Sequence, residues 1–207
     1  MKTEQMNKRE SIDNQFNDIL LSDFDIKNNY FIKEILKELL LGKPISKDRY
    51  FELADLPSLT AKRVLEKLGE LDEHDNLVAF SGLSLKPTQH QFNVNGVKLF
   101  AWCAVDTIMF AKWLEIEAEV QTNDPLDGSL INLRIKGDQL LSTSHEAVYV
   151  SWLDSVDTCN IRVSFCDHVS FFAHQHTAQK WLENNKEGKI LTINEFYDTN
   201  NVNIECC

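Results

Sequence analysis

The sequence predicts an α+β protein, with a winged-helix-like group of three helices followed by a mixed or antiparallel β-sheet domain into which helices are inserted. Three observations carry this. Apolar residues recur at helical spacing between Tyr30 and Leu68, the texture changes after Gly82 to short β-type runs, and two helical segments interrupt those runs.

Residues 1–28 are polar, with Phe16, Ile19, Leu20 and Leu21 scattered among Asn and Asp, and are expected to form a loose arm or one short helix. From Tyr30, Phe31, Ile32, Ile35, Leu36, Leu39 and Leu40 form one apolar stripe that stops at Gly42, with Pro44 beyond it. Ser46 is placed to cap a second helix, although Arg49 stands where a capping box has Glu. In "PSLTAKRVLEKLGEL", Ala61, Val64, Leu65 and Leu68 share one face of a third helix. "DEHDNLVAFSGLSL" then reads as a turn at His74–Asn76 between short strands. This completes the outline of a winged helix-turn-helix over residues 29–81.

The second domain, residues 82–207, carries the β-type runs "HQFNVNG", "AEVQT", "INLRI", "EAVYVSWL", "NIRVSFCDHVSFFA" and "KILTI". The helical segments "DTIMFAKWL" and "TAQKWLENN" interrupt them, and the chain ends on the adjacent pair Cys206 and Cys207.

Composition narrows the function. A chain of 207 residues that is 43% apolar supports one large core or two small ones. No apolar run approaches the ~20 residues of a spanning helix, and "MKTEQMNKRESIDNQ" lacks the apolar stretch of a signal peptide, so a soluble cytoplasmic protein without membrane partners is expected. Five cysteines cannot all pair, and free thiols are the expectation. The net charge of -11 opposes attraction to phosphate backbones. The helix that would enter a DNA groove sets Lys62, Arg63 and Lys67 against Glu66 and Glu70, with Asp72, Glu73 and Asp75 following. This is no basic stripe, and a scaffold role is favoured over a nucleic-acid partner. No glycine-rich phosphate loop is present among the seven glycines.

The residues that could carry chemistry begin in "KLFAWCAVDTIMFAKWL". On a helix reaching back to Cys103, Cys103 and Asp106 stand one turn apart on one face. They could act together on one bound atom; equally, Asp106 could cap the helix and Cys103 could fill the core. In "NIRVSFCDHVSFFA", alternation puts Ile161, Val163, Phe165 and Val169 on one face. The other face then holds Arg162, Ser164, Cys166, His168 and Ser170, which sets the Cys166 thiol beside cations that would favour a thiolate. Cys166, His168, His174 and His176 could also suggest zinc, but their spacings match no standard finger.

"GLSLKPTQHQFNVNG", "LFAWCAVDTIMF" and "IRVSFCDHVSFFA", followed by "AQKWLENN", resemble the organomercurial lyase (alkylmercury lyase) family. The helical stretch ending "LLLGKPISKDRYFELADLPSLTAKRVLEKL" is similar to that family's N-terminal winged-helix-like domain. The likeness implies protonolysis of a carbon–mercury bond, giving a hydrocarbon and Hg(II), with a catalytic set that falls on Cys103, Asp106 and Cys166. Cys103 and Cys166 would be the mercury ligands, with Asp106 a possible third. The sequence departs from common members at Asp167 and Ser170, where a second Cys and a His often stand, near Asp124, where some have another Cys, and at Ala111, a frequent Pro.

The chemistry suits these residue types. Thiolate is the softest side chain available to mercury, and two of them weaken its bond to carbon. The departing carbanion needs a proton from a fixed acid, and a carboxyl in apolar surroundings stays protonated near neutral pH. Phe100, Trp102, Ile108, Met109 and Phe110 would line an apolar wall as well as fill the core. No cofactor is implied, but excess thiol is needed to release Hg(II). Its acceptors would be cellular thiols or a mercuric reductase, and the Cys206–Cys207 pair, which resembles the terminal pair of mercuric reductases, could hand it off. The alternative is a thiol-based protein that binds or senses a soft metal without lyase activity.

Overall fold

The computed structural model describes residues 30–153 and 161–200; the expected N-terminal arm, Cys206 and Cys207 lie outside them. Three helices open the described chain, α1 (Tyr30–Leu39), α2 (Lys47–Ala54) and α3 (Ser58–Leu68). The apolar stripe of α1 is buried from Phe31 to Leu39. Ser46 caps α2 by accepting from the Arg49 N–H, and the Tyr50 hydroxyl donates to the Ala61 carbonyl at 2.8 Å, tying α2 to α3. The hairpin of β1 (Gly69–Leu71) and β2 (Leu77–Phe80) follows; the Asp72 carboxylate holds its turn by accepting from the N–H groups of His74 and Asn76.

Beyond the hairpin come β3 (Leu83–Ser84), β4 (His90–Val94), β5 (Val97–Ala101), β6 (Glu117–Asn123), β7 (Leu130–Lys136) and β8 (Gln139–Thr143). With β1 and β2 they form one sheet in the order β1-β2-β3-β5-β4-β6-β7-β8, and every ladder in it is antiparallel. The β4–β5 turn is Asn95-Gly96 with φ of 50° and 80°, the left-handed pair that a two-residue hairpin needs. Strands β6 and β7 alternate exposed and buried residues throughout, as "AEVQT" and "INLRI" predict. The sheet runs without a break across residue 82, because β3 bridges β2 to β5.

Helix α4 (Ala104–Trp113) lies inside the molecule, with every residue from Ala104 to Ala111 buried. It is apolar on all sides apart from Asp106, Thr107 and, in its last turn, Lys112, which is the pattern of a core helix rather than a surface one. A second sheet, β10-β9-β11, comprises β9 (Tyr149–Leu153), β10 (Phe171–Phe172) and β11 (Gly188–Thr192), with α6 (Gln175–Asn184) and α7 (Ile193–Asn200) beside it. Among the described residues no helix is long and apolar enough to cross a membrane.

One expectation is overturned. "NIRVSFCDHVSFFA" is not a continuous strand: it forms a short helix α5 (Ile161–Ser164), a 3-10 turn (Cys166–His168), and only then β10. Strand alternation would bury Val163 and expose Cys166, but Val163 is 57% exposed and Cys166 is buried directly after buried Phe165. The turn closes through N–H bonds from His168 to Phe165 and from Val169 to Cys166. Backbone bonds internal to the turn replace ladder bonds, and two neighbouring inward residues, Phe165 and Cys166, replace the period of two.

Candidate active site

Cys103 leaves β5 in extended conformation (φ -140°, ψ 170°) and caps α4. Asp106, three residues on, turns its carboxylate back to accept from the Cys103 N–H at 3.0 Å. The capping reading of Asp106 is therefore correct as geometry, and the same geometry sets its carboxyl beside the Cys103 thiol. Cys166 arrives from the other sheet. A backbone bond from the Ala104 N–H to the Val169 carbonyl, 3.1 Å, pins the start of α4 to the turn that carries it. The Ser151 hydroxyl braces that turn from β9, donating to the His168 carbonyl and accepting from the Ser170 N–H.

The result is a buried cluster in which two thiol sulfurs and a carboxylate oxygen of Cys103, Asp106 and Cys166 lie within 4.8 Å of one another. Among the described residues it is the one group of His, Cys, Asp or Glu donors so converged. The zinc alternative finds no support here. His168 is exposed, while His174 and His176 stack on each other near Asp127 and His145.

Burial dominates the electrostatics. It pushes the Cys103 thiol well above its ordinary range, helped by contact with Cys166 and by the negative charge of Asp106. For Cys166 the hydrogen bond from Cys103 pulls downward, but burial and the charges of Asp106 and Asp167 together leave the thiol raised, with Arg162 a smaller offset. The pre-formed thiolate expected from Arg162 and His168 is thus replaced by a protonated thiol. Asp106 is pushed up to about 7 by burial, against hydrogen bonds from the Cys103 side chain and backbone that hold it down. A carboxyl titrating there can hold a proton and give it up near neutrality.

An apolar cavity of about 20 Å³, room for about one water, opens beside the cluster; its walls include Trp102, Asp106, Met109, Phe110, Phe165 and Cys166. The Arg162 guanidinium covers the Trp102 ring at 5.2 Å and pairs with Glu70 of β1, so the N-terminal hairpin is tied to the residue that covers this wall. Phe100, Ile108, Met109 and Phe110 are buried as expected, but of these only Met109 and Phe110 reach the cavity.

The chain is similar to known proteins in sequence and in fold. A model of the alkylmercury lyase (MerB) family matches residues 83–201. The alkylmercury lyase of Pseudomonas putida is 33% identical over 161 residues, covering 77% of this chain and 76% of the relative. The chain belongs to the alkylmercury lyase family. The alkylmercury lyase of Bacillus cereus is 29% identical over 171 residues, 82% of this chain and 78% of the relative. A solved structure described as the mercury-bound form of MerB2 superposes with a TM-score of 0.72 over 90% of this chain and 94% of that one, at 20% identity, and bears on the fold.

Within this alkylmercury lyase, one of the four positions that depart from common members, Asp124, has a clear structural role. Asp124 is buried, accepting from the N–H groups of Leu126 and Ala173 and from the Thr177 hydroxyl, so it anchors the start of α6. Asp167 lies on the exposed side of the 3-10 turn, Ser170 is buried on β9's side, and Ala111 is buried within α4. Sequence reasoning missed Gly82. Its φ is +102°, and a Cβ there would lie 2.7 Å from the Asp106 carboxyl carbon. Gly82 entered the sequence reading only as the point where the texture changes, and nothing in "FSGL" announced a carboxylate packed against the glycine.

Proposed function

We propose that this chain cleaves the carbon–mercury bond of alkyl and aryl mercurials by protonolysis, with Cys103 and Cys166 as the mercury ligands and Asp106 as the acid. The observation that carries the reading is the buried convergence of two thiols and one carboxyl within 4.8 Å. For phenylmercury the balance is PhHg⁺ plus two thiols giving benzene, Hg(II) held by two sulfurs, and one proton released to solvent. The first thiol loses its proton as sulfur bonds mercury, and Asp106 lies in position to take that proton and pass it to carbon. The second sulfur completes a soft ligand pair and weakens the bond to carbon further. Because the substrate-free thiols are protonated, deprotonation follows mercury binding instead of preceding it. The resting cavity is smaller than a phenyl ring, so entry of the organic group requires its wall side chains to yield.

A soft-metal trap or sensor would use the thiols and the Asp106 cap, but has no use for a carboxyl that holds a proton near neutrality beside them. In the proposed cycle no organic cofactor takes part, excess thiol releases Hg(II), and cellular thiols or a mercuric reductase accept it in the cytoplasm. The winged-helix-like residues 29–81 serve as a cover, since Leu68, Ser81 and Glu70 reach the catalytic pocket or its rim. Headspace gas chromatography tests the function. Reduced protein with phenylmercury and excess thiol should release benzene well above the thiol-only control; no excess benzene from folded protein would refute it.

A further inference from the structure

Ser81 has three features that the chemistry above does not use. It adopts φ +50°, a left-handed conformation that costs a non-glycine residue free energy. Its neighbours hold it there, with the Ser81 N–H donating to the Leu68 carbonyl and the Gly82 carbonyl accepting from the Trp102 N–H, each at 2.8 Å. The residue lines the same cavity as Asp106 and Cys166, and its hydroxyl is buried with no hydrogen-bond partner among the described residues. The indole N–H of Trp102, on the same cavity wall, is likewise unpartnered. Buried donors without partners are rare, and each calls for an explanation.

The rest of the wall is largely apolar, formed by Leu68, Met109, Phe110, Trp113 and Phe165. A hydrocarbon group seated against it leaves the hydroxyl unpaired, whereas a group carrying an oxygen acceptor satisfies it. Mercury and the attacked carbon are already served by Cys103, Cys166 and Asp106, so the hydroxyl is free to meet the rest of the organic group. We infer that Ser81 selects among substrates, donating a hydrogen bond to an ether, hydroxyl or carbonyl oxygen on the organic group of the mercurial. The pocket thereby favours such groups over their hydrocarbon isosteres. This inference rests on the lyase reading.

The test compares 3-methoxypropylmercury with n-pentylmercury, which match in chain length and differ by one oxygen. Methyl propyl ether and pentane are measured by gas chromatography, and the selectivity is the ratio of the two kcat/KM values. Ser81→Ala keeps the Cβ and its backbone cost while removing the oxygen; Ser81→Gly removes both and accepts φ +50° freely. Selectivity for the ether-bearing substrate should fall about tenfold in both variants relative to the parent protein, the discrimination expected of one neutral hydrogen bond. Using two variants with opposite backbone demands separates this from a folding effect. Unchanged selectivity in both, with both substrates cleaved by the parent, would overturn the role of Ser81 and leave the lyase reading standing. Failure of the parent to cleave either substrate would sink both.

Discussion

Replacing Asp106 by Asn separates the acid from the cap. The amide oxygen can still accept from the Cys103 N–H, so α4 should form as before. Protonolysis should slow by roughly 10²-fold or more, the contribution of a positioned general acid, while titration of the two buried thiols with Hg(II) stays intact. Stability should change in a pH-dependent way. Burial raises Asp106 from 3.8 to about 7, so its bound proton stabilises the fold. That contribution is complete below pH 3.8, declines as pH rises, and is gone above about 7. Between pH 5 and pH 8 the unmodified protein should lose roughly 3 kcal/mol through this group, about two pH units at ~1.4 kcal/mol each, and the Asn variant should not. Urea unfolding of both proteins at the two pH values measures the difference directly. A stability gap that is the same at pH 5 and pH 8 would refute the raised acid. Cys103→Ser provides the contrast, since it should abolish cleavage and also weaken mercury binding by removing a soft ligand.

Gly82→Ala should destabilise the fold by roughly 1–3 kcal/mol, because it combines a strained φ with a Cβ driven into the Asp106 carboxyl; a thermal melt within a degree of the parent would show that the turn yields. Gel shifts at low salt should find no sequence-selective DNA binding, since exposed Lys62 of α3 faces Glu66 at 3.8 Å and the chain carries a net charge of -11; a salt-sensitive, selective shift would contradict the cover role. If Cys206 and Cys207 hand Hg(II) outward, their deletion should spare the first turnover and slow steady-state turnover at limiting thiol, because a tethered ligand pair acts at high effective concentration. Equal Hg(II) release rates from truncated and full-length protein would remove that role.

Several elements were legible because local pattern and tertiary fate agree. Ile35, Leu36 and Leu39 lie on one helical stripe and are wholly buried, and the alternation in "INLRI" matches β7 residue by residue. Cys103 and Asp106 were legible for the same reason, since their separation is one helical turn whatever surrounds them. Cys166 was a candidate for the wrong reason. Period-two reasoning put it on a solvated cationic face, whereas a 3-10 turn carries it inward against Cys103, a contact 63 positions distant in the sequence. Strand β5 was missed because three consecutive buried residues, Leu99 to Ala101, show no alternation in a strand paired on both sides. Ser81 and Gly82 were beyond sequence reasoning because their meaning comes from the β2–β3–β5 ladder, which places their turn over α4.

The decisive measurement is a single turnover in D₂O. Reduced protein, freed of external thiol, is mixed with one equivalent of phenylmercury, and the headspace is analysed by gas chromatography with mass detection. Protonolysis at the Cys103, Asp106 and Cys166 site predicts close to one equivalent of monodeuterated benzene, with mercury retained on the protein as Hg(II). Phenylmercury bound intact to the thiols, with no benzene formed, would contradict it.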